Sequence, residues 1–230
     1  MPTAAFDMLG TFFSLESLRP KLKSLGANDH TLELWFAESL RDFFALSHAG
    51  GYAPLRDILE AALPRVFEEL RQGSQDPGQH LHVLEGLKEL EPSQGAREAC
   101  EFLTREGWKL LALTHGGEEA TRALLQRAGL LSHFSAVLST DSVRTSKPHA
   151  RVYELARTAA EGPLWMVAAH AWDLQGAVRA GLRAAWVSQK ERRWLGIYPE
   201  PDVRAENLEA LAHEMVAAAR NGSGPPLPRS

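Results

Sequence analysis

One cysteine, Cys100, stands in 230 residues, so no disulfide can form within the chain. A lone thiol fits a reducing compartment and a cytoplasmic protein. The opening residues lack a basic stretch followed by an apolar one, so no secretory leader is expected. No apolar run approaches the roughly 20 residues needed to cross a bilayer, and no membrane partner is expected. Basic residues are not in excess: 25 Lys and Arg face 29 Asp and Glu, a net charge of -4. Without a basic stripe, nucleic acid is not an expected partner either. Internal repeats are absent as well. What is present is a chain that is 44% hydrophobic and 23% charged, long enough to bury a core.

Short apolar runs bounded by polar turns alternate with helical patterns. Residues 4–8, 109–114, 134–139, 164–169 and 183–187 are predicted strands. Between them, 95–106, 118–128, 150–160 and 174–180 are predicted helices. That alternation predicts an α/β fold, a doubly wound and mostly parallel sheet. Residues 15–94 break it. There Leu32, Trp35, Phe36, Leu40, Phe43 and Phe44 recur at helical spacing, with turns at Gly50-Gly51-Tyr52 and across 72–78. The expected organisation is a core of residues 1–14 and 95–220 carrying an inserted helical cap, 15–94. Most of the aromatic stripe should fill the cap's own core, with Phe36 turned to the substrate. The tail, 221–230, is rich in Gly, Pro and Ser and is expected to be disordered.

Ligands of open α/β sheets gather beyond the carboxyl ends of the strands. Four residues stand there: Asp7, Thr114, Lys147 and Asp173. Asp7 leads into Met8-Leu9-Gly10-Thr11, where glycine permits a tight loop. Thr114 is followed by His115-Gly116-Gly117 and then a helix, whose N-terminus suits an anion. Taken singly, each of these is more simply a helix cap or a solvated loop residue. Their joint occurrence at one sheet edge is what points to a site. His80 and His82 lie two apart on a predicted helix and diverge, so they receive no role. Residues 190–193 are expected to form a solvated loop.

Four segments carry a resemblance: FDMLGT (6–11), LALTHG (111–116), SKPHARVY (146–153) and VAAHAWDLQGA (167–177). Together they resemble the haloacid dehalogenase superfamily, most closely its 2-haloacid dehalogenase branch. The resemblance implies that Asp7 attacks the substrate and forms an ester that water then hydrolyses. It implies that Lys147 keeps the nucleophile ionised and that Asp173 helps activate water. Thr11 and Thr114 match hydroxyls that bond the aspartate or the substrate anion, and Tyr153 matches the family tyrosine. Leu9 stands where the phosphatase branch has a second aspartate, and Ala169 where it has a Mg²⁺-binding acid, so no metal or cofactor is expected.

The chain also departs from the dehalogenase pattern. Phe36 occupies the place of a halide-binding arginine, for which Arg41 or Arg56 is the candidate replacement. His115 and His170 replace asparagines, and Ala168 replaces a serine. Both imidazoles are expected near Asp7, as donors or proton carriers. Thr11, Leu9, Phe36, His115, Tyr153, His170 and Trp172 are expected to line the substrate. The implied function is hydrolysis of a small 2-substituted carboxylic acid, in a protein that could pair as a homodimer. The alternatives are a Mg²⁺-dependent phosphatase or a catalytically idle binding protein of the same fold.

Overall fold

All five residues of β1 (Thr3–Asp7) are buried, as the middle strand of a sheet covered on both faces must be. The structure, a computed structural model, describes residues 1–74 and 76–222. After β1, the two-residue strands β2 (Phe13–Ser14) and β3 (Glu91–Pro92) pair antiparallel. Between them lie α1 (Arg19–Ser24), α2 (Thr31–His48), α3 (Leu55–Glu69) and α4 (Pro77–Glu85). The chain continues through α5 (Ala96–Arg105), β4 (Lys109–Thr114), α6 (Glu118–Arg127), β5 (Phe134–Ser139) and α7 (Ala150–Ala159). It closes with β6 (Leu164–Ala168), α8 (Ala171–Arg179), β7 (Arg183–Val187), β8 (Val203–Ala205) and α9 (Leu208–Arg220).

The main sheet runs β5-β4-β1-β6-β7-β8, and every pairing in it is parallel. Strand order therefore reverses at β1. Its register with β4 extends to Asp7 opposite Leu113, whereas its register with β6 stops at Phe6 opposite Val167. Asp7 thus stands where β1 and β6 part, at the switch point where such sheets hold ligands.

Alternation along the strands divides the core in two. Ala4, Phe6, Ala112, Trp165 and Val167 face α5 and α9, and this cluster continues into the helical layer through Trp35, Phe43, Leu63 and Phe67. Ala5, Leu111, Met166 and Ala168 face α7 and α8. On α2, Leu32, Trp35, Leu40 and Phe43 are buried, and the Trp35 indole N–H donates to Leu59 O at 2.9 Å. Phe36 and Phe44 lie on the neighbouring, half-buried side of the same helix.

Three predicted strands have the observed bounds; the first is shifted by one residue and the fourth ends one residue early. The helix predicted from 174 begins at Ala171, with His170 extended before it. β8, α9 and the β2–β3 pair are additional to the predicted elements. Of the predicted tail, Asn221 and Gly222 form a turn after α9, and 223–230 lie outside the described residues, as does Gln75 within the 72–78 turn. Among the described residues no helix is long and apolar enough to cross a membrane.

Candidate active site

The loop after β1 folds back on itself. Phe12 N donates to Asp7 O at 3.2 Å, Phe13 N to Met8 O at 2.8 Å, and Gly10 N to Phe13 O at 2.9 Å. Gly10 makes the reversal at φ +85°, a conformation that side chains disfavour. The turn brings the Thr11 hydroxyl to Asp7 Oδ2, to which it donates at 2.7 Å. Thr11 Oγ1 in turn accepts from Ala169 N at 2.9 Å, tying the loop to the end of β6.

Lys147 reaches the same point from the chain between β5 and α7. Its Nζ lies 2.8 Å from Asp7 Oδ1 and 2.8 Å from Asp173 Oδ2, with the lysine side chain 0% exposed. The Tyr153 hydroxyl stands 2.7 Å from Asp173 Oδ1, so both oxygens of that carboxylate are engaged. Gly176 is what admits the tyrosine: a Cβ there would lie 2.5 Å from Tyr153 Oη and from Pro148 Cβ. The Gly-Ala after the Ala-Trp-Asp segment is therefore a packing requirement.

Charge settles unevenly over this cluster. Burial alone raises the Asp7 carboxyl, but the Lys147 ammonium and the Lys147 and Thr11 hydrogen bonds outweigh it and hold the group below its ordinary value. Burial pulls Lys147 down, yet Asp173 and Asp7 lift it above the usual lysine range. Asp173 ends above its ordinary value, because burial and the neighbouring Asp7 exceed what Lys147 restores. Asp7 is thus the carboxylate most firmly ionised. Each of its oxygens accepts one hydrogen bond and keeps a second lone pair for chemistry.

Aromatic rings surround the cluster. Trp172 is stacked between the two imidazoles, with centroids 6.0 Å from His115 and 5.6 Å from His170. Phe44 of α2 meets the Trp172 indole edge-on at 4.8 Å, and Phe36 lies 6.4 Å from the His170 ring. His115 Nε2 accepts from Lys147 N at 2.9 Å, which puts the ring proton on Nδ1. Burial, with Lys147 adding to it, pushes His115 down to about 3, so its ring is neutral at physiological pH.

A cavity of about 610 Å³ opens over Gly10, walled by Leu32, Phe36, Leu40, Phe44 and Trp172, with His170 also on its wall. Leu9 is not on that wall. The short bridge it forms with Phe13 belongs to the tight loop, and the side chain lines a smaller cavity of about 250 Å³ beside Gly116 and Gly117. Thr114 is likewise engaged locally, since its hydroxyl accepts from Gly116 N at 2.9 Å and from Thr121 at 3.4 Å. Arg41 lines the larger cavity while paired with Glu38 and Asp42, and Arg56 lines the smaller one.

Glu191 was not anticipated at the site. Residues 190–193 were expected to be solvated, yet the Glu191 carboxylate binds His170 Nδ1 at 3.0 Å and Ala171 N at 2.9 Å, and Lys190 lines the large cavity. A run of four polar residues carries no sequence signal for such a long-range contact.

A doubly wound parallel sheet, with a buried carboxylate at its switch point and a lysine held against it, defines an α/β hydrolase. The chain belongs to the haloacid dehalogenase-like hydrolase family, whose model matches residues 1–181. It is 27% identical over 220 residues to an (S)-2-haloacid dehalogenase of Pseudomonas sp. strain YL, covering 94% of each chain. With haloacetate dehalogenase H-2 of Moraxella sp. strain B it shares 24% over 214 residues, 91% of this chain and 95% of the other. The fold superposes on that of L-2-haloacid dehalogenase from Xanthobacter autotrophicus with chloropropionic acid covalently bound. That match has a TM-score of 0.83 and 21% identity over 93% of this chain and 97% of the other.

The phosphatases of this fold use Mg²⁺, which requires hard oxygen ligands. The Leu9 and Ala169 side chains supply none, and the Lys147 ammonium already bridges Asp7 and Asp173. Among the described residues no three His, Cys, Asp or Glu side chains converge as a metal site. The residues present do not fit the ion.

Proposed function

We propose that this protein hydrolyses 2-substituted carboxylic acids, 2-halo acids among them, through an ester formed on Asp7. The observation that carries the reading is the Asp7 carboxylate, held ionised between Lys147 and Thr11 on the loop whose Gly10 lines a largely apolar cavity. An Asp7 oxygen attacks C2 of the acid as the halide leaves, forming the ester. Water then adds to the Asp7 carbonyl carbon, the bond to the substrate oxygen breaks, and a 2-hydroxy acid departs. One halide and one proton are released per turnover. Splitting the displacement into two steps lowers each barrier. Lys147 faces the charge that develops on Asp7 Oδ1 in the second step, and Asp173 with Tyr153 keeps the lysine in position.

The helices of residues 15–94 act as the cap, with α2 closing over the site. The similarity to enzymes named for haloacids and haloacetate supports the reaction class, and the cavity supports a preference within it. Leu32, Phe36, Leu40, Phe44 and Trp172 offer an apolar wall to the group on C2. Burying a methylene is worth about 0.8 kcal/mol, or roughly a fourfold gain per carbon. We place the protein in the cytoplasm, where its one buried cysteine stays reduced.

The test is halide release from 2-bromoacetate, 2-bromopropionate, 2-bromobutyrate and 2-bromohexanoate in the presence of a chelator. Rising kcat/KM with chain length is the expected result. No halide release from any of the four, or turnover of phosphate esters restored by Mg²⁺, contradicts it.

A further inference from the structure

Both oxygens of Asp173 are engaged, one by Lys147 and the other by Tyr153, and the side chain is 0% exposed. With none of its side chain exposed, this carboxylate presents no surface to a water molecule. The ester step nevertheless needs a base, and an unengaged basic nitrogen stands beside the site.

That nitrogen is Nε2 of His170. It is buried and, among the described residues, has no hydrogen-bond partner. Leaving a buried polar atom unpaired costs about 1–3 kcal/mol, so an orphan of this kind calls for an occupant. The opposite ring nitrogen is fixed. Glu191 Oε1 lies 3.0 Å from His170 Nδ1, and Glu191 Oε2 accepts from Ala171 N, the first amide of α8, at 2.9 Å. An ionised carboxylate only accepts, so the neutral imidazole carries its proton on Nδ1 and its lone pair on Nε2.

The Nε2 atom faces the turn at Gly10. A Cβ there would lie 3.2 Å from Nε2 and 3.8 Å from Phe36 Cε1. The absent side chain leaves the lone pair directed at the loop that carries Asp7 and Thr11, where the large cavity opens. Trp172, stacked on the imidazole at 5.6 Å, holds the ring plane. Other charged groups around the ring are Lys190 beside Glu191, the Asp7–Lys147 pair, and Glu33 and Arg41 on the α2 wall; neutral His115 lies across Trp172. Among the described residues, Glu191 alone is in hydrogen-bond contact with the His170 ring.

We propose that His170 is the base that activates water for hydrolysis of the Asp7 ester, with Glu191 as its positioning residue. The inference rests on the ester mechanism proposed above. His170 Nε2 takes a proton from water as the water oxygen bonds to the Asp7 carbonyl carbon. It returns that proton to the 2-hydroxy acid oxygen when the ester bond breaks. Asp7 is left as a carboxylic acid and loses its proton to solvent, balancing the halide expelled in the first step.

Two measurements test this. In protein labelled with ¹⁵N-histidine, the His170 ring should show an unprotonated Nε2 and a protonated Nδ1, and Glu191→Ala should let the Nε2–H tautomer appear. An Nε2–H tautomer in the parent, or a tautomer unmoved by Glu191→Ala, overturns the proposal whether or not a substrate is in hand. With 2-bromopropionate, His170→Asn should release one equivalent of bromide in a burst and then turn over at least about 10²-fold more slowly. The Asp7 ester should accumulate and be visible by peptide mass spectrometry. Glu191→Gln should retain more activity than His170→Asn. Full turnover by His170→Asn, or loss of its bromide burst, overturns the base assignment. An unaltered protein that releases no bromide overturns the dehalogenase reading instead, and the imidazole spectra then judge the dyad.

Discussion

The Lys147 ammonium lies 2.8 Å from Asp7 Oδ1, and none of its side chain is exposed. A cation buried so completely persists because Asp7 and Asp173 flank it; removing it would leave two carboxylates together in a poorly solvated place. Lys147→Met is therefore expected to abolish turnover and to destabilise the fold by about 3–5 kcal/mol at neutral pH. Chemical denaturation beside a halide assay checks both. A variant as stable as the parent would mean that the cluster tolerates the loss by protonating.

Gly10→Ala should harm the site by a different route. The added methyl meets His170 Nε2 at 3.2 Å, and φ +85° strains any side chain there. We expect a stability loss of about 1 kcal/mol together with a larger fall in kcat, because the methyl crowds His170 Nε2. Equal kcat in the two proteins would show that this nitrogen is not used.

His115 makes stability depend on pH. Its native imidazole stays neutral down to about 3, whereas the unfolded chain takes up a proton near 6.5. Over that window the unfolded state binds more protons, so this group's share of stability is lost as pH falls, by at most about 1.4 kcal/mol per unit. Asp7, also lowered, contributes in the same direction as pH falls through its native value. Asp173, raised, contributes in the opposite one, its share of stability being lost as pH rises through its native value. Urea unfolding at several pH values should give a shallower acid limb for His115→Gln. An unchanged limb would assign the acid sensitivity elsewhere.

Phe36 lines the large cavity at the position where the resemblance implies a halide-binding arginine. An aromatic face there cannot donate hydrogen bonds to a departing anion, so Phe36→Arg should raise turnover of 2-chloropropionate. It should also weaken the preference for longer chains. Kinetics across the chain-length series would detect both, and rapid parental turnover that Phe36→Arg leaves unchanged would contradict this account of the wall.

What was legible in the sequence follows from range. Asp7 was legible because a short apolar run ends on it and Gly10 follows three residues later. Lys147 and Asp173 were legible because both lie in segments matching the family at the ends of predicted strands. Phe36 was singled out because it follows Trp35 at the place of the family's halide-binding arginine. Glu191 was not legible, because its bonds to His170 and Ala171 span about twenty residues and no periodicity marks them. Leu9 and Thr114 show a local limit. The Gly10 turn and a bond donated by Gly116 N to Thr114 Oγ1 decide where those side chains point, and strand-end position does not encode either. β8 is three partly exposed residues on the sheet edge, too short to alternate. α9 does carry apolar residues at helical spacing, at Leu208, Leu211, Ala212, Met215 and Val216, beyond the last predicted strand.

The central claim is that Asp7 becomes covalently bound to the substrate. Asp7→Asn should retain the fold, since Lys147 keeps Asp173 as a partner, and it should lose turnover. The more direct measurement is a single turnover of 2-bromopropionate in ¹⁸O-labelled water, followed by mass spectrometry of the peptide containing Asp7. Attack of water on the ester carbonyl predicts one labelled oxygen in the Asp7 carboxylate and an unlabelled 2-hydroxy acid. Label in the hydroxy acid with none in Asp7 would mean that water displaced the halide directly, contradicting the covalent mechanism.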